Sequence, residues 1–290
     1  MQSKPETIHF ILGQTASGKT QLATEIANEK NGAIVNCDSR QVYKDLNIIS
    51  GKVDNPKDVE VLCTDIVTPR EIFSAYDYSI TAISEIEKLV NDGTTPIVVG
   101  GTGMYAYLLK YVDKSRKSGY TSKVAIDLDM SLEQMQDEMK SKYNFIWEKL
   151  NASDRQNKRR LAGAISRLVT GSSGPIDEKS PNALANRFKI SEKILLHKDA
   201  SMLETRLRNR IRSRIETGAI GECEKLLQKG YTLTDPGLNS IGYRSVFKFL
   251  SHEISESEMV EEWFLKERQY AKRQKTYLLK YFPNAETIYI

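Results

Sequence analysis

Cysteine, histidine and tryptophan are scarce in this chain, with three Cys, three His and two Trp among 290 residues. Cys37, Cys63 and Cys223 are odd in number and lack C-x-x-C spacing. That pattern argues against a disulfide framework or a cysteine zinc site and leads us to expect a reducing cytoplasm. His9, His197 and His252 have no partner spacing and read as structural or solvent-exposed residues. No apolar run approaches the ~20 residues that cross a bilayer. The stretch Met1 to Thr7 lacks the apolar core of a signal peptide. There is no internal repeat and no low-complexity tract. A net charge of +4 is too mild to imply nucleic acid by itself, so the placement of the charges matters more than their sum. The length suits one large domain, or a core carrying a smaller insertion.

Against these absences stands Gly13-Gln-Thr-Ala-Ser-Gly18-Lys19-Thr20, which fits G-x-x-x-x-G-K-[ST]. The apolar run Ile8 to Leu12 before it reads as a strand, and Leu22, Ala23, Ile26 and Ala27 after it keep helical spacing. Strand, glycine loop and helix are the context in which backbone N–H groups and a helix N-terminus cradle an anion. Lys19 adds a point charge and the Thr20 hydroxyl can hold Mg²⁺. A di- or triphosphate ligand is expected here.

Further strands are expected at Ala33–Cys37 and Pro96–Val99, with an amphipathic helix from Ile80 to Val90. Such alternation predicts an α/β fold, a P-loop NTPase-like core whose parallel sheet is flanked by helices. The character changes near Asp113, where Lys, Ser and Gly accumulate before a charged, Met-bearing helical stretch over Ser131–Leu150. Gly171 to Pro175 and on to Pro181 is a polar, turn-rich connection. From Leu203 to about Tyr281 the pattern is again helical. We expect a core of residues 1–112 and 186–290 interrupted by a small helical insertion, 113–185.

Asp38 ends the second predicted strand, at the sheet edge where open α/β sheets bind ligands. It reads as a carboxylate organising Mg²⁺, as a general base, or as a simple helix cap. Gly100-Gly-Thr102-Gly lets backbone approach a ligand closely and offers a hydroxyl at the same edge. Arg206, Arg210 and Arg214 share one side of a predicted helix, with Arg208 and Arg212 on another and Leu203, Leu207 and Ile211 as its apolar stripe. Any arginine beside the loop could neutralise a leaving phosphate, and spacing alone does not choose among them. Gln156 to Arg160, and Arg268 to Tyr277 with its interleaved tyrosines, read either as solvated basic helices or as grips on RNA.

Taken together, G-Q-T-A-S-G-K-T, D-S-R-Q-V-Y, F-S-A-Y-D-Y, V-G-G-T-G-M-Y, L-x-x-R-L-x-x-R-I, G-A-I-G-E, I-G-Y-R and R-Q-Y-A-K-R-Q resemble the tRNA dimethylallyltransferase (tRNA isopentenyltransferase) family, in its order and over both ends of the chain. The resemblance implies transfer of a dimethylallyl group from dimethylallyl diphosphate to N6 of the adenosine 3′-adjacent to the anticodon. It implies that Gly13, Thr15, Ala16, Ser17, Gly18, Lys19, Thr20 and Arg206 hold the diphosphate, with Mg²⁺ on Thr20. Asp38 is then the base, and Lys19, Thr20 and Arg206 stabilise the departing group. Contacts to the tRNA anticodon arm are implied for Asp38, Ser39, Arg40, Gln41, Thr102, Asn157, Arg159, Gly242, Tyr243, Arg244, Lys272, Arg273 and Gln274. A monomer acting away from membranes is expected. The chain departs from the family pattern at Ala200, Ala162 and Ile165, at Val61-Leu62, and in a short insertion. Rival readings are a nucleotide or nucleoside kinase, an adenine-nucleotide isopentenyltransferase, and an RNA-binding protein without catalysis.

Overall fold

The computed structural model describes residues 7–52, 56–113, 130–148, 150–158, 161 and 177–290. Its strands are β1 (Thr7–Gly13), β2 (Gly32–Asn36), β3 (Val61–Leu62), β4 (Thr95–Gly100), β5 (Lys189–Leu196) and β6 (Glu286–Tyr289). They form one sheet in the order β3-β2-β4-β1-β5-β6, every neighbouring pair parallel. The near-continuous apolar runs of β1 and β4 fit central strands covered on both faces. Phe10, Leu12, Val35 and Val98 enter the larger core on one face, whereas Ile11, Ile34, Ile97 and Val99 pack with Ala23 and Ala27 on the other. The second face is covered by α1 (Lys19–Lys30), whose N-terminus therefore stands at the C-terminal edge of the sheet.

The helix α2 (Ala75–Asn91) starts five residues before the expected Ile80, because Ser74 and Asp77 of F-S-A-Y-D-Y form a reciprocal capping box. That motif thus sets a helix start. α3 (Gly103–Tyr111) follows β4 directly. In the expected insertion, α4 (Leu132–Lys142), α5 (Asn144–Trp147) and α6 (Ala152–Arg155) surround a separate apolar cluster of Met135, Met139, Trp147 and Leu161. Arg159, Ala162, Ile165 and the Gly171–Pro175 connection lie outside the described residues.

α7 (Leu184–Arg187) leads into β5, which pairs with β1 from Thr7–Lys189 to Gly13–Leu195. The last part of the chain forms α8 (Ala200–Glu216), α9 (Ala219–Gln228), α10 (Tyr243–Leu250) and the 26-residue α11 (Glu256–Tyr281). Among the described residues, no helix is long and apolar enough to cross a membrane. The three cysteines are free and buried.

Candidate active site

The glycine loop leaves β1 under tight constraint. A Cβ on Gly13 would stand 2.3 Å from Leu195 O, and Gly18 adopts the left-handed conformation (φ 78°) as it caps α1. Three successive carbonyls of the loop are engaged by side chains. Lys19 Nζ donates to Gln14 O at 2.5 Å, His197 Nε2 lies 3.1 Å from Thr15 O, and Arg206 NH1 donates to Ala16 O at 3.4 Å. Ser17 Oγ is buried and has no hydrogen-bond partner. An orphaned buried hydroxyl costs about 1–3 kcal/mol, which an anion bound in the loop would recover. Burial, reinforced by Arg210, lowers the Lys19 pKa from 10.5 to about 7, and only Asp38 opposes the shift. The loop is built for a negative charge.

Thr15, Ala16, Ser17, Gly18, Lys19 and Thr20 line one cleft with Asp38, Gln41, Gly101, Arg210, Tyr270 and Gln274. Its volume of about 350 Å³ is in the range of small-molecule sites. Asp38 follows β2 at the sheet edge, and its Oδ1 accepts from Arg40 N at 2.8 Å, which fixes the carboxylate. Ser39 N donates to Thr102 Oγ1 at 3.1 Å, tying the segment after β2 to the second glycine loop. Two positions of that loop exclude a side chain: a Cβ on Gly100 would meet Cys37 O at 1.9 Å, and one on Gly101 would meet Gln274 Nε2 at 2.1 Å. Gln41 Nε2 donates to Gly51 O at 3.1 Å.

Two cleft residues, Arg210 and Tyr270, and one behind the loop, His197, were given no specific role by the sequence. Arg210 donates to Thr15 Oγ1 and lines the cleft, whereas exposed Arg206 sits at the loop's outer carbonyl. The signal was present in the i, i+4 spacing from Arg206. Tyr270 is a cleft-wall phenol raised to about 12 by burial and by Asp38. His197 is 3% exposed, with its backbone N–H on Gln14 Oε1 at 2.9 Å. The face shared by Arg206, Arg210 and Arg214 does turn to the loop and α11: Arg214 pairs with buried Glu267 at 3.0 Å. Arg208 instead pairs with Glu261 at 2.9 Å and covers the Phe264 ring at 3.7 Å.

The expected RNA grips divide into two sets. Asn157, Arg244, Lys272 and Arg273 are exposed, as an outside polymer requires. Gly242, Tyr243 and Gln274 are buried and have internal partners. Gln274 accepts from Thr15 N at 2.8 Å and donates to Gly101 O at 3.0 Å, joining the two glycine loops. Tyr243 OH donates to Glu222 Oε1 at 2.7 Å, while Glu222 accepts from the N–H groups of Asn47, Ile48 and Ile49. A Cβ on Gly242 would strike Ile49 and Trp263. All three are buried in this fold, and Gln274 lines the cleft itself.

Thr20 offers its hydroxyl at the cleft near Asp38. Among the described residues, no cluster of three His, Cys, Asp or Glu side chains forms a cation cage. Hard oxygens from one or two protein groups plus substrate phosphates are the usual Mg²⁺ environment, so Thr20 and Asp38 fit that ion.

Residues 41–281 match the family model for IPP transferase. The tRNA dimethylallyltransferase of Acetivibrio thermocellus is 32% identical over 290 residues, covering 95% of this chain and 89% of that protein. A tRNA isopentenylpyrophosphate transferase structure from Staphylococcus epidermidis superposes with TM-score 0.68 at 25% identity, over 98% of this chain and 93% of that one. A eukaryotic dimethylallyltransferase acting on tRNA shares the fold at TM-score 0.77 and 21% identity, over 98% and 74% of the two chains. The α/β core with its phosphate loop, and the match over most of the length, place this chain in the IPP transferase family, the prenyltransferases that modify tRNA.

Proposed function

We propose that the chain transfers a dimethylallyl group from dimethylallyl diphosphate to N6 of the adenosine 3′-adjacent to the anticodon. The observation that carries this reading is one cleft holding both an anion loop, with its orphaned Ser17 hydroxyl and depressed Lys19, and the Asp38 carboxylate. The amine of N6 attacks C1 of the allyl group, and the bond from C1 to the diphosphate oxygen breaks. The diphosphate leaves with the electron pair, while Asp38 accepts the proton from nitrogen. Lys19, Arg210 and the loop N–H groups face the charge that grows on the departing oxygens, the usual place for the largest catalytic gain. Mg²⁺ held at Thr20 would supply further positive charge to those oxygens.

An adenine inside the anticodon arm must leave its stack to enter the cleft. Exposed Arg244, Lys272 and Arg273 would hold phosphates of the arm meanwhile, with exposed Asn157 as a further contact. A monomer working in the cytoplasm suits this chemistry. The test is purified protein with radiolabelled dimethylallyl diphosphate, Mg²⁺ and bulk tRNA, the label being followed into modified adenosine. Labelled AMP with unlabelled tRNA would replace this reading by a nucleotide prenyltransferase.

A further inference from the structure

An anion loop works only if its peptide planes face the right way. Every peptide bond among the described residues is trans, so each C=O points opposite to the N–H of the same plane. A carbonyl held outside the loop therefore turns the following N–H inside. For the Thr15–Ala16 peptide the outside hold is His197, whose Nε2 lies 3.1 Å from Thr15 O. Ala16 needs that hold: it sits at φ 58°, in the left-handed region that costs a non-glycine residue about 1–3 kcal/mol. If this plane flipped, a carbonyl dipole would face the ligand's negative charge.

The protonation state follows from the geometry. A carbonyl oxygen can only accept, so Nε2 carries the hydrogen. Nδ1 is buried without a partner, and a proton there would have no acceptor. Burial first, and then Arg206 and Lys19, lower the imidazole's pKa, against the Thr15 carbonyl and the Asp199 carboxylate, which raise it. The His197 main chain is also anchored, because its backbone N–H donates to Gln14 Oε1 and the Gln14 amide donates to Ala271 O at 3.1 Å.

We propose that His197 is a positioning residue for diphosphate binding: as a neutral Nε2–H imidazole, it holds Thr15 O outward so that the Ala16 N–H faces the leaving diphosphate. This rests on the function proposed above. It assigns a task to a side chain that touches no substrate, on a residue whose sequence context signalled nothing.

The test is calorimetric titration of inorganic pyrophosphate with Mg²⁺ into the wild type, His197→Leu and His197→Gln, alongside steady-state kinetics. Leucine fills the volume without a donor, whereas glutamine offers an N–H near the position of Nε2. We expect His197→Leu to bind pyrophosphate about three- to ten-fold more weakly, the scale of one lost hydrogen bond. The KM for dimethylallyl diphosphate should rise in step, the KM for tRNA should not move, and His197→Gln should recover most of the loss. Equal binding by the leucine variant, or a glutamine variant as weak as leucine, overturns the proposal. Imidazole ¹⁵N shifts of the wild type serve independently of any variant's folding. They should show the Nε2–H tautomer through neutral pH and respond to pyrophosphate, and an Nδ1–H tautomer overturns the assignment. A wild type that binds neither pyrophosphate nor dimethylallyl diphosphate overturns both this proposal and the function beneath it. Binding lost only in the leucine variant leaves that function standing.

Discussion

Gln274 and Thr15, 259 residues apart in sequence, share a 2.8 Å hydrogen bond in which the phosphate-loop N–H donates to the amide oxygen of the last helix. The other end of the same amide donates to Gly101 O. One side chain of α11 therefore sets the spacing between the two glycine loops that bound the cleft. Glu267, two turns earlier on the same buried stripe, accepts from Thr15 Oγ1 at 3.4 Å and from Arg214. The C-terminal helix is part of the catalytic frame as well as a support for basic side chains.

Asp38→Asn should cut prenyl transfer about a hundred- to ten-thousand-fold, the usual loss for a positioned base. Filter binding of tRNA should stay close to wild type, because the change lies inside the cleft. Near-normal turnover would make Asp38 a cap of the turn at Arg40.

The arginines of α8 should separate by position. Arg210→Ala and Arg206→Ala should raise the KM for dimethylallyl diphosphate, since a charge-assisted bond is roughly twice as strong as a neutral one. Arg208→Ala should leave that KM alone and lower the melting temperature slightly, through its lost cover of Phe264 and its bond to Glu261. Equal KM effects at all three positions would show a diffuse field with no specific contacts.

Much of this site was legible in sequence. β1, β2, β4 and the start of α1 were visible because strands buried on both faces carry unbroken apolar runs. β5 was not, because Lys189, Ser191, Glu192 and Lys193 interrupt its apolar pattern, although Ile194, Leu195 and Leu196 are buried. β6 hides in a four-residue segment at the sheet edge. The place of Gln274 in the cleft wall was hidden for a related reason. The residue lies on the buried stripe of α11 with Trp263, Glu267, Ala271 and Leu278, so its neighbours in space are the glycine loops. A polar residue at an apolar helical position was the signal, and it marked a buried hydrogen bond.

The Glu222–Tyr243 pair should matter to stability more than to RNA affinity. Tyr243→Phe removes one bond to a carboxylate that also holds three backbone N–H groups, and should cost about 1–2 kcal/mol in denaturant unfolding. Its tRNA affinity should match wild type at equal salt. A large affinity loss with unchanged stability would return Tyr243 to the RNA surface.

Lys19 gives a proton-linkage prediction. Its pKa is lowered from 10.5 to about 7 in the ligand-free fold, so between those values the unfolded chain binds more protons than the folded one. The folded state is therefore penalised most below pH 7 and gains stability as the pH rises towards 10.5. A bound diphosphate restores the ammonium. Titration of pyrophosphate near pH 8.5, in buffers of different ionisation enthalpy, should show uptake of close to one proton, absent in Lys19→Met. Uptake unchanged in that variant would place the titrating group elsewhere.

The acceptor is tested at the outer face of α11. Lys272 and Arg273 are exposed, the Arg273 guanidinium lying 6.0 Å from the ring centre of cleft-wall Tyr270. Phosphate contacts made there release counterions, so tRNA affinity should fall steeply with salt. The double change Lys272→Gln, Arg273→Gln should weaken tRNA binding and flatten its log–log salt slope by somewhat under one unit for each lost contact. Affinity for dimethylallyl diphosphate should not change, because neither side chain lines the cleft around the loop. An enzyme that works on free nucleotides would be nearly indifferent to both substitutions. An unchanged salt slope for tRNA would thus remove α11 from the RNA surface and leave Arg244 and Asn157 as the grips to examine.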